Sequence, residues 1–352
     1  MAVYLINIML IIFWRMCFTQ KRFLDARKYF CIIAAFQWIL ISGLRDLSIG
    51  VDTYNYYNRF ESVKRTPWET VLGNFFDYSL QNVEGRDPGY TLLTKLFQLF
   101  SGSYQLFMFL IAVLFMSLLA IWIYRYSASP CTSFVLFSTL FYAFYAITGH
   151  RQTIATALVA FLGYDLIRQR KFWKFTAVSL VASLIHKSSL VFFPLYFLVR
   201  VPITLGYMLL LVIVIIVMAV LGRRIYGPIA QWFGYEEFLD YAEGGAELYA
   251  LLLVLLCIVV WILYPRIKNH REDAAALFHI NSLTLLTGLM VFYNQSFMRI
   301  QQYFSLFLMI TIPEAINTVR KEYRLLGYLL FGTVMILYLV RNNPEYQFFF
   351  MS

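Results

Sequence analysis

The side chains able to do chemistry gather in a few short polar stretches of an otherwise apolar chain. GLRDLSIGVDTYNYYNRF, residues 43–60, follows an apolar run and places Arg45, Asp46, Asp52 and Arg59 among two glycines and the rings of Tyr54, Tyr56 and Tyr57. Charges of both signs at the mouth of a membrane segment point to a polar, anionic ligand. HRQTIATALVAFLGYDLI opens on His150 and Arg151, and its threonines and alanines suit a closely packed helix. The N-terminal amides of that helix would reinforce the arginine at a phosphate. SLIHKSSLVFFP sets His186 and Lys187 between two apolar arms, where an imidazole can take a proton from a hydroxyl or bind an oxyanion. NQSFMRIQQYF carries Arg299 with Tyr303 one turn later on the same helical face. The plainer reading of each stretch is a solvated loop end or a snorkelling cation, and the choice depends on where the membrane lies.

Composition places the chain in that membrane. Hydrophobic residues make up 61% and charged residues 14% of 352, with a mean hydropathy of +0.67. Soluble domains carry about a quarter charged residues, so this is an all-α, polytopic membrane protein. The 26 Tyr and 34 Phe suit interfacial belts as well as sugar stacking. A net charge of +10 fits the positive-inside bias of membrane loops and needs no nucleic-acid partner. Cys17, Cys31, Cys131 and Cys257 lie in apolar runs without CxxC spacing, which argues against a disulfide or metal framework. There is no Gly-rich phosphate loop and no HExxH. The acids at Asp46, Asp52 and residues 77–87 are too dispersed to argue for a bound metal, and no cofactor is expected.

Apolar runs suited to spans lie near residues 3–18, 29–44, 104–124, 131–148, 153–167, 203–221, 248–264, 275–293, 300–317 and 325–340. Residues 90–100 are too short to cross and contain Lys95, so an interfacial or re-entrant helix is expected inside an outer loop over 45–103. Residues 172–199 read as a helical hairpin with its polar tip at His186–Ser189. With that hairpin and an outer N-terminus, the clusters Lys21–Lys28, Arg168–Lys174, Arg266–Arg271 and Arg320–Arg324 fall on the cytoplasmic side. The acids Glu236, Glu237, Asp240 and Glu243 of a second outer loop over 222–247 fall outside. The expectation is a single transmembrane domain over 1–352 with about twelve crossings and both termini outside. This arrangement brings Arg45, Asp52, His150, Arg151, His186, Lys187 and Arg299 to the outer face, where a membrane enzyme or transporter would hold an anionic headgroup.

Five blocks in order carry a resemblance. GLRDLSIGVDTYNYYNRF, RDPGYTLLTKLFQLF, HRQTIATAL, a KFWKF segment leading into ASLIHKSSLVFFPLYFL, and MRIQQYF, between about residues 40 and 310, resemble the EpsG-type family of Wzy-like bacterial polysaccharide polymerases. The family pattern has Glu before the Pro of the second block, where this chain has Asp87. The resemblance implies a GT-C-like membrane glycosyltransferase of the bacterial cytoplasmic membrane with an outward-facing cavity. Such an enzyme joins undecaprenyl-pyrophosphate-linked oligosaccharide repeat units, is inverting and metal-independent, and admits a Wzz-like chain-length regulator as a partner. Under it, Arg45, Arg151 and Arg299 meet the charge of the departing pyrophosphate. Asp52 or His186 is the general base, with Asp52 favoured narrowly. Lys187 assists binding, and Tyr54, Tyr56, Tyr57 and Tyr303 stack on sugars. A lipid-linked oligosaccharide flippase would also use arginines, yet no internal repeat of a transporter is visible. An O-antigen ligase shares the donor chemistry and is not separated from a polymerase by sequence.

Overall fold

A computed structural model describes residues 1–18, 25–80, 87–232 and 246–351, and the regular structure there is helical apart from one isolated bridge between Arg45 and Phe348. Lys21, Arg22, Glu84 and the loop acids Glu236, Glu237, Asp240 and Glu243 lie outside the described residues. Helix α1 is Ala2–Cys17, α2 Ala26–Gly43, α3 Thr53–Arg65, α4 Trp68–Leu80, α5 Pro88–Phe97 and α6 Tyr104–Tyr126. Then come α7 Pro130–Leu136, α8 His150–Thr156, α9 Gly163–Arg168, α10 Phe172–Ile185, α11 Leu195–Leu198, α12 Leu205–Trp232, α13 Glu247–Lys268 and α14 Ala274–Val291. The chain closes with α15 Met298–Ser305, α16 Leu308–Asn317 and α17 Lys321–Asn342.

Among the described residues, five helices are long and apolar enough to cross a membrane: α6, Leu205–Gly222 of α12, α13, α14 and α17. Shorter apolar helices cover Ala2–Cys17, Pro130–Phe141, Phe172–Ile185 and Lys187–Leu198. The chain is a helical membrane protein. Helix α6 shows why: 23 residues rise about 34 Å at 1.5 Å each, enough for the hydrocarbon. Ser103 caps its start by accepting from the Leu106 amide, and Arg125 lies in its last turn where the dipole favours a cation. Leu205, Ile213 and Val220 on α12 are exposed apolar side chains that suit contact with lipid.

The chain divides into two units, Met1–Leu190 with Leu326–Ser352, and Val191–Leu325. In the first, α2 and α6 pack closely because Gly43 leaves no room for even a methyl beside the Phe109 ring. Trp38 of α2 is fully buried and donates to Ser138 Oγ at 3.0 Å. An apolar floor of Tyr56, Phe60, Tyr90, Tyr104, Phe107, Met108, Ile111, Ile154 and Ile185 ties α3, α5, α6, α8 and α10 together. Lys95 of the expected short helix is buried and donates to the carbonyls of Val63, Lys64 and Thr66, closing the C-terminal end of α3.

The runs read as spans at 131–148 and 153–167 are not regular. Wide π-turns occupy Phe137–Phe141, Ala143–Thr148 and Ala157–Leu162, so the backbone is rewound just before Gly149 and again after the short helix that His150 opens. Such turns re-aim side chains and recur at functional sites. In the second unit, His279 is a latch: its Nε2 donates to the Val201 carbonyl at 2.9 Å, and Tyr207 donates to its Nδ1 at 2.7 Å. Arg271 pairs with Asp273 at 2.5 Å and Glu314 at 3.6 Å. Helix α12 runs on to Trp232, past the start at 222 expected for the second outer loop.

Candidate functional site

Asp87 is the node of the polar cluster in the first unit. It precedes Pro88, the first residue of α5, and its backbone is left-handed at φ 58° and ψ 65°, a conformation Asp tolerates better than most residues. One carboxylate oxygen accepts from Arg151 Nη1 at 2.5 Å and His186 Nδ1 at 3.1 Å, while the other accepts from the Lys187 amide at 3.2 Å. The Arg151, Asp87 and His186 side chains are 20%, 7% and 14% exposed, so the cluster is largely withdrawn from water. Burial alone would raise the Asp87 carboxyl. The hydrogen bond from His186, the Arg151 charge and the Lys187 amide outweigh it and hold the carboxyl below its ordinary range.

Local sequence delivers these groups. Helix α10 stops at Ile185, and His186 is extended at φ −155° and ψ 108°. Because a carboxylate only accepts, the His186 Nδ1 carries the proton and Nε2 is left to accept. Arg151 stands in the first turn of α8, directly after Gly149 and His150.

Gly89 lets the two halves of the cluster meet. A Cβ there would lie 2.7 Å from the Leu184 carbonyl oxygen and 2.8 Å from its carbon. These are backbone atoms of α10 and cannot rotate aside, so α5 and α10 would have to part. Gly89→Ala is expected to cost about 2 kcal/mol and, by drawing Asp87 away from His186, about tenfold in activity. Thermal unfolding and initial rates of the purified variant check both.

Behind this cluster lies a second one. The Arg45 guanidinium is buried; its Nη1 donates to the Ser42 carbonyl and its Nη2 to His150 Nε2 at 2.7 Å. Residues near the C-terminus cover it. Phe348 bridges to Arg45, the Asp46 amide donates to the Gln347 carbonyl at 2.9 Å, and Tyr346 donates to the Ile41 carbonyl at 2.7 Å. The His150 ring stacks on Tyr56 with centroids 4.6 Å apart and planes 15° apart, and Arg151 Nε donates to the Tyr56 hydroxyl at 3.4 Å.

A family model, that of the EpsG family, matches residues 28–351. The chain belongs to the EpsG family. Neither the curated proteins nor the solved structures contain a match to it. EpsG membership, with the apolar helices, points to a glycosyltransferase-like polymerase of polysaccharide biosynthesis working in a membrane on a lipid-linked substrate.

Of the residues expected from sequence, this EpsG chain brings Arg151, His186 and the Lys187 amide onto one carboxylate. The Lys187 side chain is exposed. Asp52 sits just ahead of α3, half-buried, and its side chain does not cap that helix. Tyr54 is exposed and Tyr57 half-buried, their rings 6.0 Å apart, whereas Tyr56 is buried against His150. Asp46 closes a turn by accepting from the Ser48 amide and hydroxyl, and Arg59 donates to Thr91 Oγ1 at 2.7 Å. Arg299 is half-buried and Tyr303 fully buried, both on α15 of the second unit. Sequence reasoning gave Asp87 no role, although an acid directly before a helix-opening Pro-Gly was a usable signal.

Proposed function

We propose that this EpsG-family protein is a polysaccharide polymerase that joins undecaprenyl-pyrophosphate-linked oligosaccharide repeat units at the outer face of the bacterial cytoplasmic membrane. The observation that carries the reading is one buried carboxylate, Asp87, accepting from both Arg151 and His186. The arrangement offers an oriented base beside a held guanidinium, the two groups that displacement of a pyrophosphate by a hydroxyl requires.

In the proposed step, the acceptor hydroxyl oxygen bonds to the anomeric carbon of the growing glycan as the bond from that carbon to the pyrophosphate oxygen breaks. The electron pair leaves with the lipid pyrophosphate, and the hydroxyl proton passes to His186 Nε2. A single displacement inverts the anomeric centre. Asp87 holds the imidazole in the accepting tautomer and stabilises the imidazolium as it forms. Arg151 and Lys187 meet the charge that builds on the departing pyrophosphate, which makes the chemistry metal-independent; Arg299, in the second unit, is a further candidate for binding an anionic group. Tyr54 and Tyr57 stack on sugars at the mouth, and Asp52 orients the acceptor. His186 is preferred to Asp52 as base because its hydrogen bond to Asp87 fixes which nitrogen accepts. The reading includes a GT-C-like architecture of about twelve crossings with an outward cavity and both termini outside. A Wzz-like regulator is the partner it would engage.

The test is ladder formation by purified full-length chain in nanodiscs, using lipid-pyrophosphate repeat units extracted from cells lacking their polymerase. His186→Ala is expected to slow transfer about 10²-fold, and Asp52→Ala by less than about tenfold. The reverse ranking would move the base to Asp52, and lipid translocation without new glycosidic bonds would overturn the enzyme. For orientation, Lys187→Cys is expected to react with an impermeant maleimide from outside and Arg170→Cys to be protected; the opposite pattern inverts the topology.

A further inference from the structure

His150 is placed like a catalytic group yet cannot act as one. Its Nε2 accepts from Arg45, and its Nδ1 is buried without a hydrogen-bond partner among the described residues. Neither nitrogen is offered to a substrate. Arg45 donates from its terminal nitrogens to the Ser42 carbonyl and to His150, both neutral acceptors, and its Nε has no hydrogen-bond partner among the described residues. A guanidinium buried against neutral acceptors costs stability, and apolar residues of similar volume would pack there more cheaply. The pair is therefore poorly explained as a device for stability alone.

The contacts lead to the catalytic arginine. Arg45 holds the neutral His150 ring; the ring stacks on Tyr56; Tyr56 receives Arg151 twice, through Nε to its hydroxyl at 3.4 Å and through the guanidinium carbon 5.7 Å from its ring centre. Arg151 has only its far side left for Asp87. Its guanidinium is thus held on one edge by a carboxylate and on the other by a ring whose own position depends on His150. Burial and the Arg45 charge both keep the imidazole neutral, which the stack and the donated hydrogen bond require.

We propose that Arg45 and His150 are positioning residues that act through Tyr56 to fix the Arg151 guanidinium where the leaving pyrophosphate develops its charge. This rests on the polymerase reading above. It also replaces direct substrate contact, the role expected of Arg45 from sequence, with support from behind.

The experiment compares kcat and KM for ladder formation on the same extracted repeat units, alongside thermal unfolding in nanodiscs. His150→Ala is expected to lower kcat about 10- to 100-fold with KM within about threefold, because Arg151 works on charge that appears only as the bond breaks. The double variant Arg45→Met/His150→Phe removes the buried charge together with its acceptor and keeps a ring against Tyr56. It is expected to unfold near the wild-type temperature and recover most of the lost kcat. In an Arg151→Lys background, His150→Ala is expected to add little further loss. The proposal is overturned if His150→Ala multiplies the loss by its full factor in that background, or if it lowers the unfolding temperature and leaves kcat unchanged. It is overturned equally if the double variant folds with kcat as low as His150→Ala. A wild-type ladder indifferent to Arg151→Ala would instead defeat the catalytic assignment on which the proposal rests.

Discussion

Asp87→Asn is expected to slow glycan transfer about a thousandfold, by analogy with other buried carboxylates that orient a catalytic imidazole. The amide is nearly the same size but has one acceptor oxygen in place of two. Arg151, His186 Nδ1 and the Lys187 amide all donate to this position. Arg151 and His186 share one carboxylate oxygen, so an amide that keeps its oxygen toward them turns its NH2 on the Lys187 amide, donor against donor. The flipped amide gives its oxygen to the Lys187 amide and its NH2 to Arg151 and His186; His186 Nδ1 must then accept, and the proton moves to the nitrogen that should be taking one from the acceptor hydroxyl. Loss of the charge also strands Arg151 and is expected to cost about 2 kcal/mol.

The same substitution gives a pH signature. Asp87 is held below its ordinary carboxylate range, so its folded-state carboxyl binds protons less readily than the unfolded one. The stability it contributes is complete above the unfolded value of about 3.9 and is lost as pH falls below it toward the folded value. Unfolding temperatures of the wild type should fall through that acid window. Those of Asp87→Asn should fall less there, and parallel curves would deny Asp87 its ion pair.

Arg151→Ala is expected to cost 10²- to 10³-fold in kcat, the range for removing one preorganised donor to developing charge. Arg151→Lys should recover only part of this. A lysine is a single charged point, and it cannot hold Asp87 through one nitrogen while meeting Tyr56 through another, as the guanidinium does. Similar rates for Lys and Arg would mean that charge alone suffices and that the Tyr56 contact has no catalytic consequence.

What the sequence disclosed and what it concealed divide along physical lines. Helix α6 was legible because 23 apolar residues between Ser103 and Ser127 allow little else. The break at His186 was legible because a polar knot interrupts an apolar run, and α10 does end at Ile185. The π-turns around His150 were not, since hydropathy carries no information on whether a helix closes on i+4 or i+5. Asp87 was overlooked because its partners are 64, 99 and 100 residues away in sequence, and one acid in a loop reads as solvated until they arrive. Arg45 was singled out as a substrate contact at an outer loop, and its buried surroundings were not legible. Its cover comes from residues 346–349 at the other end of the chain, which no local pattern near residue 45 could announce.

If the Asp87 cluster forms glycosidic bonds at the expense of lipid pyrophosphate, release of that pyrophosphate and bond formation are one event. The most direct measurement follows released undecaprenyl pyrophosphate and new glycosidic bonds in one reaction, with wild type and Arg151→Ala side by side. One lipid pyrophosphate is expected to be released per bond formed, with both falling together by at least about a hundredfold in the variant. Bonds formed at the wild-type rate by Arg151→Ala, or lipid crossing the bilayer with no bond formed by the wild type, would contradict it.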